Sequence, residues 1–208
     1  MIDFTLTDEC GADCPKWIEK WVEWWNARVK EREPLAMMEC GHGYVESLPR
    51  ASRRMVRVAN TTYEFREFTY NNCLSDLSKI NQSKSVRQGR PMADHYLQPA
   101  KPHRPLALCE RHRDTWYGGF SRETGEMKGY ARLETFGETG LLNVILRHGE
   151  SLGVLNGLFS YMNDNANVKL INYLRIASAT ETLTAFKRRV GFRPWDPVTS
   201  EFIEEVHA

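Results

Sequence analysis

The chain has 208 residues, 41% hydrophobic and 26% charged, which fits one globular domain that buries a core without disulfide or metal staples. That composition excludes a disordered tail, a collagen, a coiled coil and a small disulfide scaffold. The formal net charge is +1, but it is unevenly placed. Residues 1–50 carry 6 basic and 10 acidic side chains, a net −4; residues 51–113 carry 12 and 5, a net +7; residues 114–208 carry 10 and 12, a net −2. A basic middle that also holds His95, His103 and His112 points to an anionic partner or to a solvated face balancing its acidic neighbours. No apolar run reaches the roughly 18 residues of a membrane span, and MIDFTLTDEC has neither the basic nor the apolar region of a secretory signal. A cytoplasmic, reducing setting is therefore expected, with free thiols at Cys10, Cys14, Cys40, Cys73 and Cys109.

In chain order, residues 15–32 read as a helix opened by Pro15. Trp17, Trp21, Trp24 and Trp25 recur at helical spacing, and an ordinary polar side opposite them favours packing on the domain over a partner surface. Short strands are expected at Val56–Val58 and Thr62–Thr69, with Asn60-Thr61 turning a hairpin between them. A helix follows from Asn72, capped by Asn71 or Asn72, with Leu74, Leu77 and Ile80 on one face. If that helix persists, Ser83, Arg87 and Arg90 share a face and form either a phosphate or carboxylate clamp or a solvated basic stripe. Pro99, Pro102 and Pro105 make residues 97–108 a rigid, extended loop.

From Asp114 the pattern changes. TWYGGFSRE, EMKGYARLETF and LLNVILRH read as three successive strands joined by glycine turns, the third of them central because it is mostly apolar. Residues 149–153 make a glycine-bearing turn into a helix over Val154–Met162. A buried strand over 168–177, a helix over Thr180–Arg189 ended by Gly191, and a last extended piece complete a β-β-β-α-β-α-β order. On the middle strand Tyr130, Arg132 and Glu134 lie on one face, as a site or as a solvent-facing edge.

This order, with WYGGFSRETGEMKGYARLE, LLNVILRHGESLGVLNGLFSYM and the closing TETLTAFKRRVGFRPW, resembles the GNAT superfamily of N-acetyltransferases over roughly residues 62–200. The resemblance implies an α/β fold with a GNAT-like central mixed sheet flanked by helices. Residues 56–208 would form that domain and residues 1–55 an N-terminal helical extension packed on it. It implies acetyl-CoA or another acyl-CoA as donor, held by Arg147, Gly149, Ser151, Leu152, Gly153 and Val154 at a strand–turn–helix junction, where backbone amides and the helix dipole favour an anion. His148 and Glu150 are the candidate bases and Tyr130 a further catalytic candidate, with His148 alternatively a plain loop residue. Asn81, Ser83, Arg87, Arg90, Tyr96 and Arg132 would face the acceptor.

The sequence departs from the family pattern in two places. The acyl-CoA loop aligns as His148-Gly-Glu-Ser151-Leu-Gly153, matching well only at its end, and Lys187 stands where the family often has a tyrosine acid. Three readings follow: an acyltransferase acting on an amine; the same enzyme with a nucleic-acid base as acceptor, bound through the basic segment 51–113, as in some phage-encoded enzymes of this fold; or a degenerate fold that binds nucleic acid or protein without catalysis. No metal is expected, although Cys10, Cys14, Cys40 and His42 could supply a Cys3His set against the commoner outcome of free buried thiols.

Overall fold

The structure, a computed structural model, describes residues 17–31, 33–87, 90–103, 112–176 and 180–204, and only the backbone of residues 17–22, 29 and 90. The helices are α1 (Trp17–Glu31), α2 (Tyr44–Ser47), α3 (Arg50–Thr62), α4 (Leu74–Gln82), α5 (Asp94–Leu97), α6 (Val154–Asn165) and α7 (Glu181–Arg189). The strands are β1 (Leu35–Glu39), β2 (Tyr63–Glu67), β3 (Val86–Arg87), β4 (Arg90–Pro91), β5 (His112–Ser121), β6 (Met127–Phe136), β7 (Thr139–Arg147), β8 (Leu170–Arg175), β9 (Arg193–Asp196) and β10 (Glu201–Phe202). Eight of them form one mixed sheet in the order β10-β9-β1-β8-β7-β6-β5-β2, while β3 and β4 make a separate hairpin. Within the large sheet every pair is antiparallel except β7 with β8. From β5 onward the observed order is the expected one, and the sheet flanked by helices is the fold class expected.

Alternation along the strands sends side chains to two faces. Ala36, Met38, Tyr117, Ala131, Leu133, Leu142 and Ile171 meet Leu158, Phe159 and Met162 of α6 and Phe186 of α7 in the largest core cluster. On the opposite face Trp25 packs with Leu35, Met37, Leu141 and Trp195, so its part of the tryptophan stripe is core. Further along that face Leu77 and Ile80 of α4 cover Phe120, Met127 and Tyr130.

Four local expectations are corrected. Val56–Val58 is helical: Ser52, Val56 and Ala59 recur at helical spacing and are buried, and α3 packs on α6. At Gly157 a Cβ would lie 2.9 Å from Ala59 Cβ of α3 and 2.1 Å from Phe65 Cζ of β2, so α6 packs closely on both. Asn60-Thr61 is therefore the last helical turn rather than a hairpin, with the Thr61 and Thr62 hydroxyls donating to Val58 O. Residues 35–39, read as part of an extension, form β1 between β8 and β9 in the large sheet. The helix after Asn72 stops at Gln82, and neither Asn71 nor Asn72 caps it. Asn71 instead exchanges two hydrogen bonds with the His103 backbone, at 2.9 and 2.7 Å, pinning the proline-rich loop.

Candidate functional site

The parallel pairing of β7 with β8 covers only Thr139↔Leu170, Gly140↔Ile171 and Leu141↔Asn172. At that point β7 also breaks register with β6: Leu133 opposes Leu142 and Arg132 opposes Val144, leaving Asn143 as a bulged residue. Residues 139–142 are buried, Asn143 is exposed and residues 144–147 are half-buried, although β7 lies in the middle of the sheet. The two central strands thus part, and the gap opens beside Asn143.

A second device holds β8 away. Leu174 has φ +58, a left-handed conformation unfavourable for a leucine. The Lys187 ammonium donates to the carbonyls on either side of it, Tyr173 O at 2.6 Å and Arg175 O at 2.9 Å, and sits 4.4 Å from the Tyr173 ring centroid. Burial, to 2% exposure, pulls this lysine down to about 8. The position that the family resemblance gives to a tyrosine acid here braces the end of β8.

The floor of the site is the α4-side face of β5, β6 and β7. Arg132 Nε donates to Asp114 Oδ1 at 2.8 Å, its Nη2 lies 3.0 Å from Glu134 Oε1, and Asn143 Nδ2 donates to the same Glu134 oxygen at 2.8 Å. The Asp114 side chain is only 4% exposed, and its other oxygen lies 3.4 Å from His103 Nε2. Burial pushes the Glu134 carboxyl up, opposed by the Arg132 charge and the Asn143 hydrogen bond. Aromatic rings close the far side: Trp116 lies 4.4 Å from Tyr70 and 6.0 Å from Tyr130 and from His103, between ring centroids. The Tyr130 hydroxyl donates to Asn81 Oδ1 at 2.7 Å, and burial pushes both Tyr130 and Tyr96 up. Tyr96 lies on α5, which packs against α4, and the Arg132 charge opposes its rise.

The turn that follows β7 is tied down from both sides. Arg147 Nη1 donates to His148 O, Gly149 O and Ser151 O at 3.2, 2.8 and 3.3 Å. Arg87 donates to Arg147 O at 2.7 Å, to Ile80 O at 2.6 Å and to Ser83 Oγ at 3.2 Å. Gly153, at φ +76, turns the chain into α6, whose first-turn amides have no acceptor inside the helix. Val154 is fully buried and offers only its backbone; Leu152 is 68% exposed; Ser151 is buried; Glu150 is exposed; His148 is half-buried, with its own N–H on Lys128 O.

The structure brings Asn81, Tyr96, Tyr130 and Arg132 to one wall. It joins Ser83 and Arg87 to the turn as supports, and the side chain of Arg90 lies outside the described residues. Trp116 and His103 complete the cluster together with Asp114 and Asn143, two residues to which the sequence pattern gives no site role. Cys10, Cys14 and Cys109 lie outside the described residues; among those described, Cys40 is a free thiol pushed by burial to about 12, and no group of three or more metal-binding side chains occurs.

No family model and no curated protein matches the sequence. Solved structures do. A conserved protein of unknown function from Bacteroides thetaiotaomicron matches with a TM-score of 0.52 at 15% identity, over 86% of this chain and 64% of that one, which shows a shared fold. Similar at lower scores are the C-terminal domain of a protein described as a lysylphosphatidylglycerol synthetase from Agrobacterium fabrum (0.49, 10% identity, 82% of this chain and 62% of that one) and a tandem GNAT protein from the clavulanic acid biosynthesis pathway (0.42, 15% identity, 80% and 51%). The chain spans about three fifths of the length of the first structures it matches. No helix among the described residues is long and apolar enough to cross a membrane.

Proposed function

We propose that this chain is an acyltransferase that moves an acyl group from acyl-CoA, acetyl-CoA in the simplest case, to an amine. One observation carries the reading: the central strands part immediately after Leu141↔Asn172, and a buried, charged network faces the gap. An apolar sheet centre that opens only where Arg132, Glu134 and Asn143 converge is built for a ligand, because buried charges without a use are costly.

The donor's extended arm would lie along the unpaired edge of β7 beyond Asn143, with its phosphates at the 147–153 turn and the first-turn amides of α6. Bound acyl-CoA supplies a thioester carbonyl activated for attack. The chain's part is to set the amine nitrogen against that carbon and to take its proton as the C–N bond forms and the C–S bond breaks, leaving the CoA sulfur to leave as thiolate. Glu134 is the best-placed base, since its Oε1 is held by Arg132 and by the bulged Asn143 at the opening and its burial raises its basicity. His148 and Glu150 stand farther along, in the turn. Tyr96, Trp116 and Tyr130 would wall the acceptor. The net +7 of residues 51–113 favours an amine carried on an anionic acceptor, a nucleic-acid base among them.

The test is thermal unfolding with and without millimolar acetyl-CoA. Saturation near 100 times Kd stabilises by about 2.7 kcal/mol, which for a protein of this size is a rise of several degrees, on the order of 2–4 °C per kcal/mol. No shift at millimolar ligand removes the acyl donor and leaves the non-catalytic binding reading.

A further inference from the structure

Helix α3 carries a feature that the acyl-transfer site does not use. Around its axis, Ser52, Val56 and Ala59 are buried against α6 and β2, and Arg50, Arg54 and Arg57 point the opposite way, all exposed. None of these three arginines makes an ion pair or hydrogen bond among the described residues, whereas Arg53 is anchored on Glu46 O and Leu48 O. Between the arginine row and the turn before α6 runs an open groove of about 880 Å³, floored by Ala51, Met55, Val58 and Leu152. Val58 is 39% and Leu152 68% exposed, so apolar surface lies uncovered beside three unneutralised guanidiniums. At the C-terminal end of the helix Arg122, also exposed, holds Asn60 O and extends the cationic edge.

We propose that this groove binds a single-stranded nucleic acid, with phosphates on the rim of Arg50, Arg54 and Arg57 and bases on the apolar floor. Seven residues of helix at about 1.5 Å each set the row at about 10.5 Å. One strand carries a charge per about 3.4 Å of axis, so the row faces three phosphates. A lipid bilayer fits worse: the apolar stripe of α3 is buried under α6 and cannot insert, and a recessed floor suits a strand rather than a plane. The acyl-transfer reading gives this binding its catalytic sense, but the binding itself is measured without donor.

The experiment titrates a fluorescein-labelled mixed-sequence 20-nucleotide single strand with the full chain, by anisotropy, across a salt series. Saturable binding is expected, weakened at least tenfold in the double variant Arg54→Glu and Arg57→Glu. Two lost contacts at about 0.7 each flatten the slope of log K against log salt by about 1.4. Arg193→Glu, on β9, is the charge control and leaves affinity within about twofold, a bound far below the tenfold that 1.4 kcal/mol represents. Circular dichroism checks that the exposed substitutions leave the fold intact. The proposal is overturned by absence of saturable binding at tens of micromolar protein, by equal weakening in the two variants, or by tighter binding to vesicles of anionic lipid than to the strand. Acetyl-CoA stabilisation measured on the same proteins separates the two readings. Strand binding through the arginines with no acetyl-CoA shift supports the groove and removes the acyl donor, and the reverse result overturns the groove alone.

Discussion

The two faces of β6 divide the molecule's tasks. Toward α6, Ala131 and Leu133 join Tyr117, Leu142 and Phe159 in a dry core. Toward α4, two residues along the same strand, Tyr130, Arg132 and Glu134 hold hydroxyl, guanidinium and carboxylate in a bonded network. Both faces are largely buried, so burial alone does not distinguish core from site. What distinguishes them is the neighbour: the dry face meets an intact helix layer, and the polar face meets the gap where β7 leaves β8. A charged network survives burial there because each group has a partner and because the ladder beside it is broken.

Leu133 and Glu134 are adjacent in sequence and point to opposite faces, so they break the comparison most sharply. Glu134→Gln is expected to lower acyl transfer, followed as thiol release from acetyl-CoA, by about 10²–10⁴-fold, the worth of a general base. Its effect on unfolding is expected to be small beside that, since Gln keeps the shape and an acceptor for Asn143. Leu133→Ala is expected to do the reverse, costing about 2–5 kcal/mol in urea unfolding as a fully buried leucine, with acetyl-CoA stabilisation retained. If Glu134→Gln unfolds the protein or Leu133→Ala abolishes donor binding, the division between faces is wrong.

Lys187 sharpens the comparison at the strand on the other side of the gap. Its folded value of about 8 lies below the ordinary 10.5. Between those values the unfolded chain binds more protons, so this group makes stability rise as pH climbs from about 8 to 10.5. A lowering of this size corresponds to a few kcal/mol, at about 1.36 kcal/mol per tenfold change in proton affinity. Below pH 8 the full penalty of the buried charge is present. Lys187→Met is expected to remove this rise from urea midpoints measured across pH 7–11, while leaving the carbonyls of Tyr173 and Arg175 without their donor. An unchanged pH profile in the variant would mean that Lys187 is not the group that titrates in this range.

Much of this division was legible in the sequence. Period-two alternation set Tyr130, Arg132 and Glu134 on one face, and glycine turns bounded β5, β6 and β7. What escaped depends on contacts distant in sequence. LAMME at residues 35–39 is a five-residue strand buried on both faces, with no alternation to reveal it. The α3 sequence RASRRMVRVANTT mixes β-branched residues with arginines, and only packing on α6 makes its 52/56/59 spacing decisive. Asp114 falls just before the strand as read from TWYGGFSRE, and Asn143 acquires its role from a bulge that no local pattern encodes. Lys187 was visible only as a departure from a family pattern; its grip on β8 required the fold.

Tyr130 sits where the two faces' logics meet, since its ring is core and its hydroxyl joins the polar network of the candidate site. Tyr130→Phe keeps the ring against Leu77 and Ile80 and removes one buried hydrogen bond, from its hydroxyl to Asn81 Oδ1. The expected loss of stability is about 1 kcal/mol, small because the apolar contacts persist. If the hydroxyl does no more than hold α4, acyl transfer in this variant falls no further than Asn81→Ala makes it fall, because both remove the same bond. A deeper loss in Tyr130→Phe than in Asn81→Ala would place the hydroxyl in contact with the reacting groups and move part of the chemistry from Glu134 to this wall.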